Sequence, residues 1–351
     1  MHLVEPGGRG GVYQHTMAVA AALAGAGVDV DVHTAADHER LPLPAPIPTL
    51  ACLWRFAHLR PRALRRAAVA SGWLLAGIPR CHRRCRPGDV VHVQGWLSPG
   101  LPAPLVASLG LRRCLVVFSP HTTFSRAGRR WEERLLAWTA RRADVVVAHS
   151  EHDRARLARW GARTLTAPLT LLTPTPDHQA VARWRARWQA GAGRRVVLVP
   201  GYLRADKGLE LAVRAAARWG DGLLLAMAGE DGGGVVPARA LAEELGVEVA
   251  WHVGWLPVEE LVAAVAAADV VACPYPVASQ SGVLAVARGL GRPSVATDVG
   301  GLAELAGVVV PPGDADALAA GVRTALSRPA PPVTPDPAVV ADAYLAVYGG
   351  R

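Results

Sequence analysis

Short apolar runs alternate with amphipathic stretches over almost the whole chain. Strands are predicted at Val28–His33, Val90–Val93, Leu115–Phe118, Val145–Ala148, Val196–Val199, Leu223–Ala228, Val249–His252, Val270–Cys273, Ser294–Thr297 and Val308–Val310. Helices are predicted at Thr16–Ala26, Arg129–Arg142, Leu209–Trp219, Ala238–Leu245 and Val258–Ala268. Apolar strands that alternate with amphipathic helices are typical of parallel sheets covered on both faces. The pattern therefore predicts an α/β fold of the doubly wound type.

Two proline-rich stretches interrupt this alternation. Pro168, Pro174 and Pro176 exclude a continuous helix or central strand, so we interpret their segment as a linker. A second stretch, residues 329–337, precedes a final helix that ends near Tyr348. A chain of 351 residues is long enough for two domains. We predict two Rossmann-like domains facing a cleft, over residues 1–172 and 173–330, and a helix over 331–351 that returns to the first domain.

The composition favours an anionic partner and a reducing compartment. The formal net charge is +9, and Lys207 is the single lysine among 38 basic residues. The five cysteines are few and odd in number, and the pair Cys81 and Cys85 lacks a second Cys/His pair at metal spacing. We therefore expect reduced thiols and no metal site.

No apolar run reaches the roughly 18–20 residues of a membrane span, and the start lacks a signal-peptide pattern. These features predict a cytoplasmic protein, with the inner face of the membrane as an alternative location.

The single lysine lies in a loop that follows a predicted strand. Gly201 opens this loop, and Arg204 and Lys207 stand three residues apart at the start of the next helix. A lysine in a chain that otherwise uses arginine suggests a requirement for a compact ammonium, and phosphate binding is one such requirement. The helix dipole favours an anion at the same place. The alternative is an ordinary exposed helix start.

The loops after two later strands carry further groups compatible with phosphate. Hydroxyls and the unpaired amides of a helix N-terminus can bind phosphate without a metal. Ligands of doubly wound sheets bind at the carboxyl ends of strands, so we predict that these loops form one donor-binding site. The groups concerned are Ser279, Gln280, Ser281, Gly282 and Val283 and, after the next strand, Glu304.

The predicted first domain offers a glycine-rich loop and two histidines near strand ends. Gly10 and Gly11 precede a predicted helix, where a backbone without side chains can approach a ligand closely, although a plain tight turn is the alternative. His92 and His121 lie where an imidazole can donate a hydrogen bond to a sugar hydroxyl or a phosphate. With 12 histidines in the chain, either one can equally be a buried structural residue.

The order of these motifs resembles that of the GT-B glycosyltransferases of family 4, and the resemblance covers nearly the whole chain. The glycine-rich opening, Asp144–Glu151, the pair Lys207 and Gly208, and Asp298–Glu304 follow one another as expected for that family. Each motif is weakly specific alone, whereas the ordered set is strong.

The chain departs from the family pattern at two places. Tyr202 stands where the family usually has an arginine, so Arg204 is expected to supply that charge. The usual Glu-x7-Glu pair is replaced by Ala278 and Val286, as in a subgroup that contains Gln-Ser-Gly-Val-Leu. In the usual pattern the first glutamate approaches the donor sugar and the second contacts the ribose. The family's residue roles in recognising the sugar and the ribose are therefore the ones that can least be assigned to this chain.

The resemblance implies a retaining, metal-independent transfer of a sugar from a nucleotide-diphosphate donor. Lys207, Arg204 and the amides of Ser281–Val283 would stabilise the departing diphosphate, and His121 would bind the donor from the other domain. No cofactor is expected besides the nucleotide sugar as co-substrate. The sequence does not determine the base, although Trp251, Val253 and Trp255 are expected to border it.

The acceptor is expected to bind mostly to the first domain. Residues 54–86 combine arginines with Trp54, Trp73, Leu74 and Leu75, a pattern found in membrane-surface helices and also in ordinary outer helices. A lipid-linked glycan, a polysaccharide and a specialised-metabolite small molecule all remain open as acceptors. The alternatives to transfer are a nucleotide-sugar epimerase or phosphorylase of the same architecture and a non-catalytic binding subunit. The dispersed arginines argue against nucleic acid.

Overall fold

The computed structural model describes residues 1–53, 62–95, 100–125, 128–191, 193–328 and 330–349. The chain divides into two compact units: unit 1 is Met1–Leu172 with Pro335–Arg351, and unit 2 is Thr173–Thr334. Among the described residues, each unit contains a sheet whose strands pair in parallel, with seven strands in unit 1 and six in unit 2. The predicted α/β class with two parallel sheets is confirmed.

Unit 1 alternates strands with helices, as the apolar pattern predicts. Its strands are β1 (His2–Val4), β2 (Asp31–Ala35), β3 (Thr49–Leu53), β4 (Val90–Gln94), β5 (Leu115–Ser119), β6 (Val145–Ala148) and β7 (Thr164–Thr166). The helices before unit 2 are α1 (Gly11–Gly25), α2 (Arg62–Gly72), α3 (Ile78–Arg84), α4 (Pro102–Gly110), α5 (Arg130–Ala140) and α6 (Glu151–Arg159). A π-helical turn, Trp73–Gly77, joins α2 to α3.

Unit 2 repeats the alternation with shorter connections. Its strands are β8 (Arg195–Pro200), β9 (Leu223–Gly229), β10 (Val249–Val253), β11 (Val270–Cys273), β12 (Ser294–Thr297) and β13 (Val308–Val310). Its helices are α7 (His178–Arg187), α8 (Leu209–Ala216), α9 (Val235–Glu244), α10 (Val258–Ala267), α11 (Gly282–Gly289) and α12 (Ala315–Leu326), and the final helix of the chain, α13 (Pro337–Gly349), belongs to unit 1.

The strand order reverses once in each sheet. In unit 1 the order is β3-β2-β1-β4-β5-β6-β7, and in unit 2 it is β10-β9-β8-β11-β12-β13. At such a reversal the two connections leave towards opposite faces of the sheet, and a crevice opens beyond the carboxyl ends of the two strands. The reversals lie between β1 and β4 and between β8 and β11, so these four strand ends are where ligand-binding loops are expected.

Apolar side chains from both faces of each sheet form the cores. The strands β8 and β11 are buried almost throughout, because helices cover both faces of the sheet. In unit 1, α13 contributes Val340, Ala341 and Tyr344 to the same apolar cluster as Leu3 of β1 and Val19 of α1. The final helix is therefore part of the core of unit 1.

Several helix boundaries follow from local sequence. The side chains of Ser150, Asp177 and Asp314 accept hydrogen bonds from first-turn amides and so cap α6, α7 and α12. Helix α1 begins at Gly11 rather than at the predicted Thr16, because its first turns bury polar side chains and hide the apolar pattern. Within the described ranges, no helix combines the length and the apolar character needed to cross a bilayer.

Candidate active site

Lys207 and Tyr275 meet in the loops that follow β8 and β11. The Lys207 Nζ lies 3.8 Å from the centroid of the Tyr275 ring, and the Tyr275 side chain is buried. An ammonium over an aromatic face is attracted by the ring quadrupole, by about 1–2 kcal/mol when both are shielded from water. This contact holds the lysine charge at a defined position beside the point where the strand order reverses.

The N-terminus of α11 lies next to this pair. Ser281 caps the helix by accepting a hydrogen bond from the Leu284 amide, and its Oγ is 3.4 Å from the Tyr275 hydroxyl. Burial raises the pKa of Tyr275 well above its usual value, so the phenol stays neutral. The first-turn amides of Gly282 and Val283 have no acceptor within the helix. Lys207 and the N-terminus of α11 thus both adjoin Tyr275, and each of them favours an anion.

Arg204 shares its charge with a neighbouring carboxylate. Its Nε and Nη2 donate to Asp206 Oδ1 at 2.7 Å and Oδ2 at 3.0 Å, and both side chains are about three-quarters buried. The stem of Arg204 packs against Gly232, where an added Cβ would lie 2.1 Å from Arg204 Cγ. The bidentate pair fixes the guanidinium but neutralises part of its charge, which leaves Lys207 as the stronger candidate for phosphate.

Glycine allows the strand-end loops of unit 2 to touch through their backbones. Gly208 has a φ of 64°, and an added Cβ there would lie 1.8 Å from the carbonyl oxygen of Pro274. At Gly229, the last residue of β9, an added Cβ would lie 1.7 Å from the carbonyl oxygen of Gly201. The spacing between Lys207 and the loop after β11 therefore depends on the missing side chain at Gly208.

The remaining predicted donor residues of unit 2 occupy adjoining positions. Gly201 lies next to Val283, as shown by the distance of 3.6 Å between an added Cβ at Gly201 and Val283 Cγ2. The Ser279 carbonyl accepts a hydrogen bond from the Gly301 amide at 2.8 Å, which joins the loop after β11 to the loop after β12. Gln280 is half-buried, and Glu304 is exposed in the short 3₁₀ turn that follows. Their roles in donor binding stay predictions.

The structure separates the aromatic residues that the sequence groups around the base. Trp255 pairs with Tyr202, with ring centroids 5.9 Å apart, beside the Arg204 loop. Trp251 instead lies under Arg239, 5.2 Å from its guanidinium carbon, and lines an open depression of about 640 Å³ between α9 and β10. The Tyr202–Trp255 pair therefore adjoins the loop after β8, whereas the Trp251 side chain packs beside α9.

In unit 1, His121 lies at the centre of a tight turn after β5. The Thr122 amide donates to the Pro120 carbonyl at 2.7 Å, and His121 has a φ of 54°. A non-glycine residue in this region is strained, and such strain is concentrated at functional sites. The His121 Nε2 is hydrogen-bonded to Gln94 Oε1 at 2.7 Å, so Gln94, which the sequence analysis missed, orients the imidazole. Its polar side chain at the last position of β4 was the feature of the sequence that could have indicated it.

His121 is one of three histidines whose rings lie against one another, with His149 stacked on His121 and His15 edge-on to both. Its ring is 4.9 Å from that of His149 and 5.2 Å from that of His15. Burial is the main cause that lowers the pKa of each, to about 4 for His149, and neighbouring histidines lower those of His15 and His121 further. His149 Nδ1 donates to the Ala167 carbonyl at 3.1 Å, whereas its buried Nε2 has no hydrogen-bond partner among the described residues. The cluster is therefore neutral near pH 7.

His92 has a structural environment. Its side chain is fully buried, its Nδ1 is 2.9 Å from the Tyr348 hydroxyl of α13, and its Nε2 is 2.8 Å from Ser119 Oγ. Burial lowers its pKa to about 3. Both nitrogens are thus engaged, and the alternative of a satisfied structural histidine describes His92 better than ligand binding does.

The glycine-rich loop of unit 1 is shaped by a buried carboxylate. Glu5 accepts hydrogen bonds from the amides of Gly7 at 3.1 Å and Gly8 at 2.8 Å, and it is 1% exposed. Gly10, with a φ of 80°, is the N-cap of α1, and Gly11 is its exposed first residue. Glu5 directly follows β1, and its position before the glycines was the signal that the sequence analysis did not use.

Two family models match the chain. The model of Glycosyltransferase Family 4 matches residues 9–168, and the model of Glycosyl transferases group 1 matches residues 194–328. Each match covers the main body of one unit, in the order that the motifs predict. The chain belongs to the family 4 glycosyltransferases and is an enzyme that transfers glycosyl groups.

Individual relatives agree with this assignment. The chain is 29% identical over 306 residues to a 2-deoxystreptamine glucosyltransferase of Streptomyces kanamyceticus, with 78% of each chain covered. It is 30% identical over 253 residues to a D-inositol 3-phosphate glycosyltransferase of Mycobacterium sp. (strain JLS), covering 65% of this chain and 56% of that enzyme. The chain thus spans little more than half of the second relative.

Solved structures share the fold. A sucrose-phosphate synthase from Thermosynechococcus elongatus superposes with a TM-score of 0.72 at 23% identity, covering 99% of this chain and 94% of that one. Anabaena HepE in complex with UDP and glucose superposes with a TM-score of 0.71 at 18% identity and the same coverage. The GT-B fold is therefore confirmed.

The first prediction concerns the contact at Gly208. Gly208→Ala should lower activity strongly and reduce the free energy of unfolding, because its Cβ would collide with the Pro274 carbonyl. Gly246 is the matched control: it has the same φ of 64°, and an added Cβ there meets nothing within 4 Å. Gly246→Ala should therefore cost only the backbone term of about 1–2 kcal/mol. Equal effects of both changes on activity and on denaturant unfolding would contradict the role of the Gly208 contact.

The second prediction concerns acid stability. The unfolded chain takes up protons on histidines below about pH 6.5, whereas folded His149 does so only near pH 4. The stabilisation is therefore complete above pH 6.5 and is lost as pH falls towards 4, by about 1.4 kcal/mol at pH 5.5 for one such histidine. His149→Asn keeps a donor for the Ala167 carbonyl but cannot titrate. The difference in unfolding free energy between pH 7.5 and pH 5.5 should be smaller in this variant than in the wild type; an equal difference would contradict the assignment.

Proposed function

We propose that this enzyme transfers a sugar from a uridine diphosphate sugar to a small polyhydroxylated ring, with retention of configuration and without a metal ion at the diphosphate. The observation that carries the proposal is the Lys207–Tyr275 contact at the N-terminus of α11, where the strand order of unit 2 reverses. A compact cation and unpaired amides together offer what a departing diphosphate requires. Retention rests on the family resemblance.

The chemistry follows from where charge develops. As the bond between sugar and diphosphate breaks, positive charge grows on the sugar ring and negative charge on the leaving phosphate. Lys207 and the amides of Gly282 and Val283 stabilise the leaving group, and the Arg204–Asp206 pair adds a fixed dipole nearby. Donors that are already oriented need no reorganisation during the reaction, which is where most electrostatic rate enhancement originates. His121 stays a prediction for binding the donor sugar or its phosphate.

Uridine as the base is supported by structures of the same fold, and an exposed aromatic pair is compatible with it. Structures of HepE, which share this fold, were obtained with UDP and with UDP-glucose. The Tyr202–Trp255 pair beside the Arg204 loop offers an aromatic surface for a planar base, and Tyr202 is 37% exposed. The aromatic pair alone suits any base, so the choice of uridine rests on the shared fold.

The acceptor class is inferred from two relatives. The names 2-deoxystreptamine glucosyltransferase and D-inositol 3-phosphate glycosyltransferase both describe acceptors that are six-membered carbocycles with several hydroxyl groups. One of them carries amino groups and the other a phosphate. The net charge of +9 favours the phosphorylated kind, because a basic surface attracts an anionic acceptor.

A lipid-linked acceptor is the second candidate. Leu64 and Leu75, on α2 and in the turn after it, are 51% and 80% exposed beside the arginines of α2. Exposed leucines among basic residues are typical of surfaces that lie on anionic membranes. Trp73 does not contribute, because it is buried and its Nε1 donates to the Leu101 carbonyl at 2.7 Å. Trp54, Arg55 and Arg60 of the predicted patch lie outside the described residues.

Flotation of the protein with phosphatidylglycerol vesicles tests the lipid-linked acceptor, and no binding to the vesicles would dismiss it.

Lys207→Ala should lower kcat/KM at least tenfold, which corresponds to about 1.4 kcal/mol of transition-state stabilisation. Arg323→Ala is the matched control, because it removes one exposed positive charge from the same unit on α12. The measurement is steady-state release of nucleoside diphosphate with each variant. Equal rates for Lys207→Ala and the wild type would remove Lys207 from the mechanism.

The donor and acceptor are tested in two steps. Calorimetric titration with UDP, GDP and ADP in the presence of a chelator should give saturable binding of UDP alone. Incubation with UDP-glucose and either inositol phosphate or 2-deoxystreptamine should then yield a product whose anomeric configuration, read by NMR, matches that of the donor. Binding of another nucleotide would correct the base, and an inverted product would contradict retention.

A further inference from the structure

His2, His33 and Cys85 come together in unit 1, away from the loops described above. Each offers one ligand atom, these atoms all lie within 4.8 Å of one another, and all three residues are buried. His2 begins β1, His33 lies in β2, and Cys85 directly follows α3, so the set joins two strands to the end of a helix. His2 pairs with Asp31 at the start of the parallel ladder, whereas the glycine-rich loop leaves the other end of β1. The cluster is therefore separate from the donor-binding loops.

The two imidazoles face each other as a pair of metal ligands does. His2 Nδ1 and His33 Nε2 are 3.1 Å apart. Two nitrogens bound to one tetrahedral ion at about 2.05 Å are roughly 3.3 Å apart, so the two imidazoles already have the spacing of a metal-bound pair. The Cys85 sulfur lies within 4.8 Å of both nitrogens and would move towards the ion on binding.

A carboxylate on the far side of His2 fixes which nitrogen faces the cluster. His2 Nε2 is 3.3 Å from Asp89 Oδ2, so Nε2 carries the proton and Nδ1 presents its lone pair to His33 and Cys85. Carboxylates hold metal-binding histidines in this way, by orienting the ring and raising its basicity. Asp31 Oδ2 lies 3.8 Å from His2 Nδ1 and adds negative charge beside the cluster.

We propose that His2, His33 and Cys85 bind a single divalent zinc ion that fastens β1 and β2 to the end of α3. One thiolate and two imidazoles form a ligand set that suits zinc, with a water or carboxylate oxygen as a fourth ligand. On binding, the Cys85 thiol loses its proton to solvent, and the proton on His33 moves from Nε2 to Nδ1. The ion stabilises unit 1 and takes no part in sugar transfer.

The other histidine cluster is less suited to a metal. His15 has both ring nitrogens engaged, Nδ1 with the Thr170 carbonyl at 2.8 Å and Nε2 with the Tyr344 hydroxyl at 3.0 Å. Binding an ion through His15 would break one of these hydrogen bonds, and the cluster of His15, His121 and His149 contains no thiol. The two clusters can therefore be distinguished by whether a thiolate binds the ion.

The test uses the full chain without an affinity tag, stripped with a chelator and then titrated with zinc in competition with a chromogenic chelator. We expect one tightly bound equivalent and a rise in Tm. Substitution with Co²⁺ should produce a thiolate-to-cobalt charge-transfer band. The band should disappear in Cys85→Ser and persist in Cys114→Ser, the control at another buried cysteine, and in His149→Asn. Asp89→Asn should weaken zinc binding about 10- to 100-fold.

The outcomes that overturn the proposal are distinct. Zinc that competes only weakly with the chelator and leaves Tm unchanged would show that the three residues form no site. A cobalt complex that shows no charge-transfer band would place the ion at the cluster of His15, His121 and His149. Cobalt binding that is lost in His149→Asn but kept in Cys85→Ser would lead to the same conclusion. The pH dependence of zinc binding gives a further check. Because the Cys85 thiol releases its proton when zinc binds, the zinc affinity should rise with pH, and an affinity independent of pH would contradict a thiolate ligand.

Discussion

The reversal of strand order between β8 and β11 decides where the chemistry of unit 2 can lie. Neighbouring parallel strands whose connections leave towards opposite faces cannot close the gap between their carboxyl ends, so two loops face each other there. One loop contains Lys207, and the other contains Tyr275 and the start of α11. The groups of unit 2 that are proposed to stabilise the leaving diphosphate come from these two loops. Residues far apart in sequence become neighbours because the sheet topology requires it.

The distance between the two loops depends on backbone packing rather than on side chains. Gly208 touches the Pro274 carbonyl, and Gly229 touches that of Gly201, so the loops after β8, β9 and β11 form one packed layer. Within this layer the Lys207 ammonium rests on the Tyr275 ring, whose burial in turn keeps the phenol neutral. The anion site proposed for these loops would therefore be ordered before a substrate arrives, because close backbone contacts hold the loops together.

Unit 1 uses histidine as a neutral core residue as well as a candidate ligand. His92 is bonded to Tyr348 and His15 to Tyr344, so α13 is anchored to the sheet through polar contacts inside an otherwise apolar core. Burial lowers the pKa of both rings, to about 3 for His92, so both stay uncharged and keep these contacts well below neutral pH. Buried neutral imidazoles are also available to a metal ion, and among the described residues the zinc site proposed at His2 and His33 combines such rings with a thiol and an orienting carboxylate.

The sequence by itself determined the fold class, the family and the enzyme class, because apolar periodicity and the order of short motifs are properties of the chain that need no contacts. It also indicated the loop of Lys207, since a single lysine among arginines is visible without a structure. Only the tertiary structure decided that Tyr275 lies under Lys207, that Arg204 is paired with Asp206, and that Trp251 lies away from the strand-end loops. Only the tertiary structure likewise brings His2, His33 and Cys85 together, because their spacing along the chain fits no metal motif. Side-chain partners depend on which strands adjoin and which helix faces turn inwards, and both are set by packing that spans the whole unit.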